Sequence, residues 1–558
     1  MKRRLSMLMV LSLPVFLAAG HGAQVLAGPN TGESVSSLPA PQGPAAPAYS
    51  LIAWSELGMH CIDGKDYSVF SVLPPYNVIH AQLVKKGEPP VQITTGVTIT
   101  YQASADTRQS FNSSSAKKTN FWNYVGALFL NNVPPETGLA GYKTQSRTPQ
   151  QMSYNSQEGY WEAVGIPTVP YDDKGKFNPY PMALLVAKDT AGNVLATAKI
   201  VLSVSDEMTC KNCHASGSDP AAMPASGWVN NPDPSKDTKL NILKKHDDRW
   251  PISQYLSQLQ SMGWTYQSSL YQTATSGTPI LCAACHSDNA LGLPGINGIG
   301  TLSSDAHLLH GPQTLPANGQ TLDQNSKSSD LNSCYLCHPG PVTQCKRGEM
   351  NKVLCSNCHG VVTHVGDPAR QPWYVEPACQ MCHTNSKRFA SAFDNTGKWR
   401  QTSDQTFATN PNTPLPNTDL YRFSSGHGSV FCSGCHGSPH AEFRTLQAND
   451  NVYPRTLQGY PYKIMECSVC HTNVGASANG GPHGIHTIGQ TWVDAHPDYV
   501  DSHGHQACAY CHGANYKGSV LSQAKVQRSF KVEDGSTKTF PAAHAFSCYD
   551  CHNGPNGG

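Results

Sequence analysis

The feature that most constrains this chain is a five-residue pattern, Cys-x-x-Cys-His, which occurs nine times. The cysteine pairs are Cys210 and Cys213, Cys282 and Cys285, Cys334 and Cys337, Cys355 and Cys358, Cys379 and Cys382, Cys432 and Cys435, Cys467 and Cys470, Cys508 and Cys511, and Cys548 and Cys551. Two thiols at this spacing can reach the two vinyl groups on one side of a porphyrin and form thioethers. The next residue then lies beneath the ring and can bind the iron. These proximal histidines are His214, His286, His338, His359, His383, His436, His471, His512 and His552. The pattern predicts nine covalently bound haem c groups.

The same cysteine spacing also occurs in zinc ribbons and in dithiol redox pairs. Zinc sites of this kind use Cys-x-x-Cys units in pairs and need no histidine at a fixed place. Nine units cannot all pair, and every copy is followed at once by histidine. The repeat therefore favours haem over zinc.

The first 27 residues have the pattern of a secretory signal peptide. Lys2 to Arg4 are basic, the run from Leu5 to Gly20 is apolar, and small residues precede a predicted cut after Ala27. The apolar run is too short to cross a bilayer comfortably, and no later segment is long and apolar enough. We therefore expect an exported protein, periplasmic or extracellular or at the cell surface, with no transmembrane segment.

Charge and composition narrow the classes of function and fold. The chain has 39 basic and 38 acidic residues, so it carries no basic footprint for nucleic acid. Charged residues make up only 14% of the chain, which has 48 Gly and 41 Pro. This composition predicts a protein with many loops, in which cofactors supply much of the buried apolar surface.

Four segments are predicted along the chain: a signal peptide (1–27), a Pro-, Ala- and Ser-rich linker (28–50), a β-rich domain without haem (51–206) and a nine-haem domain (207–558). The predicted fold class is an N-terminal all-β, sandwich-like domain followed by a loop-rich, mostly short-helix cytochrome c domain with little regular secondary structure. Residues 182–204 predict a hairpin with a turn at 189–193. Two longer helices are predicted at 237–247 and 251–262.

Several stretches outside the haem motifs resemble large multihaem c-type cytochromes of metal-reducing bacteria, such as the Geobacter and Desulfuromonas groups. They are Leu57–Cys61, Ser68–Pro75, Gly165–Asp173, Asn241–Asp247, Cys435–Ala441 and Gly481–His486. The resemblance covers nearly all of the chain after the signal peptide. It implies electron transfer in the periplasm or outside the cell, and it names neither donor nor acceptor.

A six-coordinate haem iron needs a second axial ligand on the face opposite the proximal histidine. The chain has 24 His, which leaves fourteen for nine irons once the proximal ones and His21 are set aside. The predicted distal ligands lie in the haem region, mostly beside Gly or Ala, and the resemblance favours the same positions. They are His246, His307, His310, His427, His440, His483, His486, His496 and His544.

Other residues could replace some of these ligands. His364, His503 and His505 are reserves, whereas His60 and His80 are expected to pack within the β-rich domain, although His60 could still reach a haem across the domain interface. No methionine recurs at a fixed offset from the motifs, which disfavours methionine ligation. Cys61 and Cys345 are left over; they predict either a disulfide between the two domains or two separate thiols.

The leading functional prediction is an electron carrier, because two histidines on each iron leave no position for substrate. The expected partners are other redox proteins or cytochromes, an outer-membrane conduit or an extracellular electron acceptor, with self-association into a longer wire also open. The alternative is a multihaem reductase of a small nitrogen or sulfur oxyanion with one open haem. All nine motifs end in histidine, which favours the carrier over the enzyme.

Overall fold

The structure, a computed structural model, describes residues 47–374, 377, 421–473, 482 and 485–556. The predicted signal peptide, most of the linker, the haem motif at Cys379, Cys382 and His383, and His483 lie outside the described residues. None of the helices in the described part is long and apolar enough for a membrane crossing.

The described strands are β1 (Tyr49–Ser55), β2 (His60–Cys61), β3 (Phe70–Ser71), β4 (Tyr76–Lys85), β5 (Val91–Ile93), β6 (Val97–Ser104), β7 (Gln150–Gln151), β8 (Ser153–Asn155), β9 (Tyr160–Pro167), β10 (Met182–Asp189), β11 (Val194–Val201), β12 (Val204–Ser205), β13 (Ile280–Leu281), β14 (Arg528–Lys531) and β15 (Thr537–Phe540). The described α-helices are α1 (Phe121–Phe129), α2 (Lys211–His214), α3 (Pro234–Arg249), α4 (Leu256–Ser261), α5 (Leu270–Thr275), α6 (Leu302–His310), α7 (Leu322–Ser326), α8 (Cys355–His359), α9 (Val362–Val365), α10 (Cys432–His436), α11 (Val452–Gln458), α12 (Gln490–His503) and α13 (Ala509–His512).

Two antiparallel sheets dominate the N-terminal part. One has the order β1-β4-β9-β8, with β5 also paired to β4, and the other has the order β11-β10-β6-β7. A single apolar cluster joins them, with Leu51 and Ile79 from the first sheet and Tyr101 and Leu185 from the second, all fully buried. The two sheets thus share one core.

The predicted hairpin at 182–204 is confirmed. β10 pairs antiparallel with β11, and the turn closes with a hydrogen bond from the amide of Asp189 to the carbonyl of Asn193 at 3.0 Å. Gly192 in this turn has φ +86°, a conformation in which side chains other than glycine are strained.

Strand β1 is covered on both faces, because the haem-motif region packs on the side opposite the sheet core. Ile52 and Trp54 form an apolar cluster with Phe431 and Val469. The amide of Ala53 donates to the hydroxyl of Tyr453 at 3.1 Å. This explains why six of its seven residues are buried instead of alternating.

A second apolar cluster also contains residues from both sides of position 206. Tyr67 and Phe121 meet Leu243 and Trp264 there, and the short strand β3 pairs in parallel with β13. Strand β2 pairs in parallel with β12. The β-rich part therefore packs directly against the chain that carries the first haem motifs.

Local capping explains the two helices that matter most for the site. At the start of α3, the Asp233 carboxylate accepts hydrogen bonds from the amides of Ser235 and Lys236, and Pro234 occupies the first turn. Helix α6 begins after Thr301, whose hydroxyl accepts from the amide of Ser304 at 3.0 Å. Helix α3 extends beyond the predicted helix at 237–247, and the predicted helix at 251–262 is a 3-10 turn followed by α4.

The predicted fold class is wrong. The described residues hold fifteen strands in five sheets of mixed parallel and antiparallel pairing, and they show no loop-rich haem domain. Helix α1 interrupts the part expected to be all-β, while β13, β14 and β15 lie among the haem motifs. Composition misled because Gly and Pro concentrate in the connections, where they leave capped helices and paired strands intact.

Candidate haem-binding site

Each described motif forms one tight helical turn. The amide of the histidine donates to the carbonyl of the first cysteine four residues earlier, at 2.8 Å for His214 and at 2.9 Å for His471. Residues four apart in such a turn lie on the same side. The turn therefore presents the first thiol and the imidazole together, as a haem attachment site requires.

Most described motifs line one large cavity of about 4360 Å³. All three functional residues of the motifs that begin at Cys210, Cys282, Cys334, Cys355, Cys508 and Cys548 lie on its wall, together with Cys432 and His436. A pocket for one small molecule typically has only about 300–1,000 Å³. The cavity is therefore large enough for several ligands side by side.

Seven proximal histidines each face a second histidine. The ring centres are 6.3 Å apart for His214 and His310, 6.4 Å for His286 and His246, 6.1 Å for His338 and His307, 6.0 Å for His359 and His440, 5.8 Å for His471 and His427, 6.2 Å for His512 and His486, and 6.0 Å for His552 and His496. A metal–nitrogen bond of about 2 Å on each side, plus about 1 Å from each nitrogen to its ring centre, gives roughly 6 Å. The spacing fits one metal ion between each pair.

Hydrogen bonds at Nδ1 orient many of these rings. Nδ1 lies 2.6 Å from the carbonyl of Ser303 in His307, 2.7 Å from that of Ala306 in His310, 2.7 Å from that of Thr487 in His486, 2.8 Å from that of Val493 in His496 and 2.8 Å from that of Phe546 in His512. A carbonyl accepts, so Nδ1 carries the proton and Nε2 keeps its lone pair for a metal. The local backbone thus prepares these side chains as ligands.

Two proximal histidines have a carboxylate oxygen as the nearest partner of Nδ1, and Nδ1 of His286 also lies 3.3 Å from the carbonyl of Gly300. Nδ1 of His286 lies 3.0 Å from Asp305, and Nδ1 of His471 lies 3.1 Å from Glu88. Sequence reasoning missed both contacts, because neither acidic residue stands at a recognisable spacing from its histidine. Glu88 comes from the part of the chain without haem motifs.

Burial keeps several of the paired imidazoles neutral. It lowers the pKa of His214, His307, His440 and His486 to about 4 and that of His359 to about 3. In four of these, His214, His307, His359 and His486, the positive charge of the facing histidine lowers the pKa further. Metal binding requires the deprotonated imidazole, so at neutral pH these histidines are in the form that can bind a metal.

The predicted distal ligands fall into three groups. Seven stand opposite a proximal histidine in the pairs given above. His544 instead places Nε2 2.9 Å from the Asp550 carboxylate, with its ring against Phe540 and Phe546. His483 lies outside the described residues, as does the proximal His383.

The remaining histidines have other surroundings. His503 stacks on Tyr499 with ring centres 4.3 Å apart, and His505 meets the edge of Tyr516 at 5.3 Å. His364 belongs to α9, close to Gly360. His80 is buried in β4 between Trp54 and Tyr160, and His60 lies in β2.

The cysteine contacts add two further details. The sulfur atoms of Cys334 and Cys355, and a carboxylate oxygen of Asp330, lie within 4.8 Å of one another, so two consecutive motifs adjoin. Cys61 and Cys345 both line the cavity, and both are free thiols in the structure. The Cys345 sulfur lies 3.9 Å from Nδ1 of His440.

The described residues fit haem c better than zinc. Cysteine pairs, facing imidazoles and a cavity with room for several ligands occur together, and in the seven described pairs an imidazole stands opposite the proximal histidine. The comparisons with known proteins found no match, whether to a protein family, to a curated protein or to a solved structure.

Proposed function

We propose that this chain is a multihaem c-type cytochrome that carries electrons, with nine covalently attached haems. The observation that carries the proposal is the set of seven facing histidine pairs, each built from the proximal histidine of a Cys-x-x-Cys-His motif and a second histidine at metal-bridging distance. Haem supplies reversible one-electron iron chemistry when bound.

The residues of the chain account for the other requirements of an electron carrier. The cysteines fix each group covalently, so it cannot dissociate between transfers. At each of the seven paired sites, two imidazoles would leave a bound metal no open position, which disfavours chemistry on an oxyanion there. The adjoining Cys334 and Cys355 bring two attachment sites together, and short separations favour passage from one site to the next.

The proposal places the protein beyond the inner membrane, periplasmic or extracellular. Covalent haem attachment and the predicted signal peptide support the same compartment. Its partners would be other redox proteins, an outer-membrane conduit or an extracellular acceptor. Self-association into a longer wire is compatible with the same site.

Three measurements test the proposal. Intact-mass analysis of the exported protein should show nine haem additions, and metal analysis should find iron. N-terminal sequencing should begin near residue 28. Zinc in place of iron, with the Asp330, Cys334 and Cys355 cluster as its first candidate site, would overturn the proposal.

Carbon monoxide separates the carrier from a reductase. If every iron holds two histidines, the reduced protein should bind almost no carbon monoxide. The haems should be low-spin in both the oxidised and the reduced protein. One equivalent of high-spin haem, with turnover of a nitrogen or sulfur oxyanion, would contradict the carrier function.

A further inference from the structure

Two of the described proximal histidines, His286 and His471, have a carboxylate oxygen within hydrogen-bond distance of Nδ1. Asp305 and Glu88 approach Nδ1 of His286 and His471 to 3.0 and 3.1 Å. The proximal His512, in contrast, has the neutral carbonyl of Phe546 at 2.8 Å. In all three histidines the contact is made at Nδ1, and the partners differ in charge: a carboxylate is negative and a carbonyl is neutral.

The backbone holds Glu88 in place along the motif. The amide of Gly87 donates to the carbonyl of Cys470 at 3.3 Å, and the amide of Thr472 donates back to Gly87 at 3.4 Å. The Lys86 ammonium donates to the carbonyl of Ser468 at 3.0 Å. The loop between β4 and β5 therefore runs beside the motif at Cys467–His471 and delivers its carboxylate to the histidine.

Asp305 is held equally well by helix α6. It lies in the first turn of the helix, and its amide donates to the carbonyl of Thr301 at 3.0 Å. A Cβ atom at Gly300 would lie 2.3 Å from Oδ1 of Asp305, so the carboxylate needs a glycine there. Neighbouring backbone contacts thus hold both carboxylates in place, although the Asp305 and Glu88 side chains are 43% and 48% exposed.

We infer that Glu88 and Asp305 are positioning residues that lower the reduction potentials of the haems bound by His471 and His286. The inference rests on the proposed function. A carboxylate that accepts from Nδ1–H makes the imidazole a stronger electron donor, and its charge favours the oxidised iron, which is more positive by one unit. The β-rich part, which has no haem motif, thereby gains a role in the electron path.

The test is a spectroelectrochemical titration of the holoprotein and its variants. Glu88→Gln keeps an oxygen that accepts from Nδ1–H but removes the charge, and Asp305→Asn does the same at His286. Each variant should move one-ninth of the haem absorbance change to higher potential and leave the rest unchanged. Glu88→Asp should restore the wild-type curve.

The control is Glu158→Gln, which removes the same charge from the turn before β9, where Glu158 meets no proximal histidine in the described structure. Its curve should match the wild type. Overlay of Glu88→Gln and Asp305→Asn on the wild type, or an equal shift in the control, overturns the inference. If either carboxylate variant lost one haem by mass, the carboxylate would have a purely structural role, and this result would also overturn the inference. Absence of haem from the wild type would instead defeat the proposed function itself.

Discussion

At the scale of single residues, the group that faces a proximal histidine decides whether a metal bound there would keep an open position. His486 faces His512 with nearly parallel rings, 16° apart, and also stacks on Trp492. His544, another predicted distal ligand, instead places Nε2 2.9 Å from the Asp550 carboxylate. Replacement of each histidine in turn therefore distinguishes a proposed metal ligand from a histidine that only lies near the haem motifs.

We expect His486→Ala to open one haem of the nine, because the thioethers keep the porphyrin in place after the distal ligand is lost. The variant should show one-ninth high-spin haem and bind one equivalent of carbon monoxide in optical and EPR spectra. His544→Ala is the matched control and should bind none. Equal binding by both variants would contradict the assignment of His486.

His80 gives a prediction for pH dependence. Burial, with a smaller effect from the positive charge of Arg422, lowers its pKa from 6.5 to about 3. The unfolded chain then binds a proton more readily than the folded one. The stability that this neutral histidine contributes is therefore complete above about pH 6.5 and is lost as pH falls through 3, by up to roughly 5 kcal/mol.

Replacement of His80 by Phe should remove this part of the acid sensitivity while it keeps the contacts with Trp54 and Tyr160. Guanidinium unfolding, followed by far-UV circular dichroism at pH 7 and pH 4, measures the midpoints. The midpoint should fall less between these two pH values in the variant than in the wild type. An identical fall in both proteins would show that His80 is not the responsible group.

The distal residues could be predicted only in part from sequence. The number of spare histidines identified a set of candidates, and seven of them face a proximal histidine. Partners are set by tertiary contacts: His310 faces His214 across an intervening motif, and His440 faces His359 across two. Local context does not contain that information, so the sequence around His544 predicts a distal ligand as strongly as the sequence around His496 does.

Helix α6 is the element on which the first three motifs converge. His310 faces His214 of the first motif, Asp305 contacts His286 of the second, and His307 faces His338 of the third. One turn separates the two histidines, so a single helix sets the relative position of two ligands. Its apolar periodicity alone would not indicate this role.

A proline in this helix should therefore open two haems at once. Leu308→Pro removes an intrahelical hydrogen bond and costs about 3 kcal/mol or more of helix stability. This variant should bind two equivalents of carbon monoxide, His310→Ala should bind one, and the control Leu308→Ala should bind none. A single equivalent in Leu308→Pro would mean that His307 and His310 keep their places independently.

At the scale of the whole molecule, buried polar contacts join segments distant in the chain. Arg347 is almost fully buried; its Nε and Nη2 donate to the Asp450 carboxylate at 2.7 and 3.0 Å, and Nη1 donates to the carbonyl of Gly58. The β-rich part and two separate haem-motif segments meet at this side chain. A domain boundary predicted at residue 206 does not reveal this junction, because the residues that Arg347 contacts are far from it in sequence.

Arg347→Met should destabilise the protein by about 3–5 kcal/mol, because it leaves the Asp450 carboxylate buried without its counter-ion. Arg108→Met is the control: its guanidinium contacts Asp106 at 3.4 Å, but its side chain is 65% exposed. That change should cost no more than about 1 kcal/mol. Unfolding midpoints of the two variants measure the difference, and similar losses would contradict the role of the junction.

The interleaving of ligands restricts how a chain of this kind can change in length. The segment between the first and second motifs contributes His246 to the second, while the segment between the second and third serves the first and third. His427 precedes the sixth motif but faces His471 of the seventh. Deletion or tandem duplication of one motif with its flanks would therefore leave another motif without its partner. A lineage of such proteins would gain or lose haems at the ends of the array more readily than from its middle.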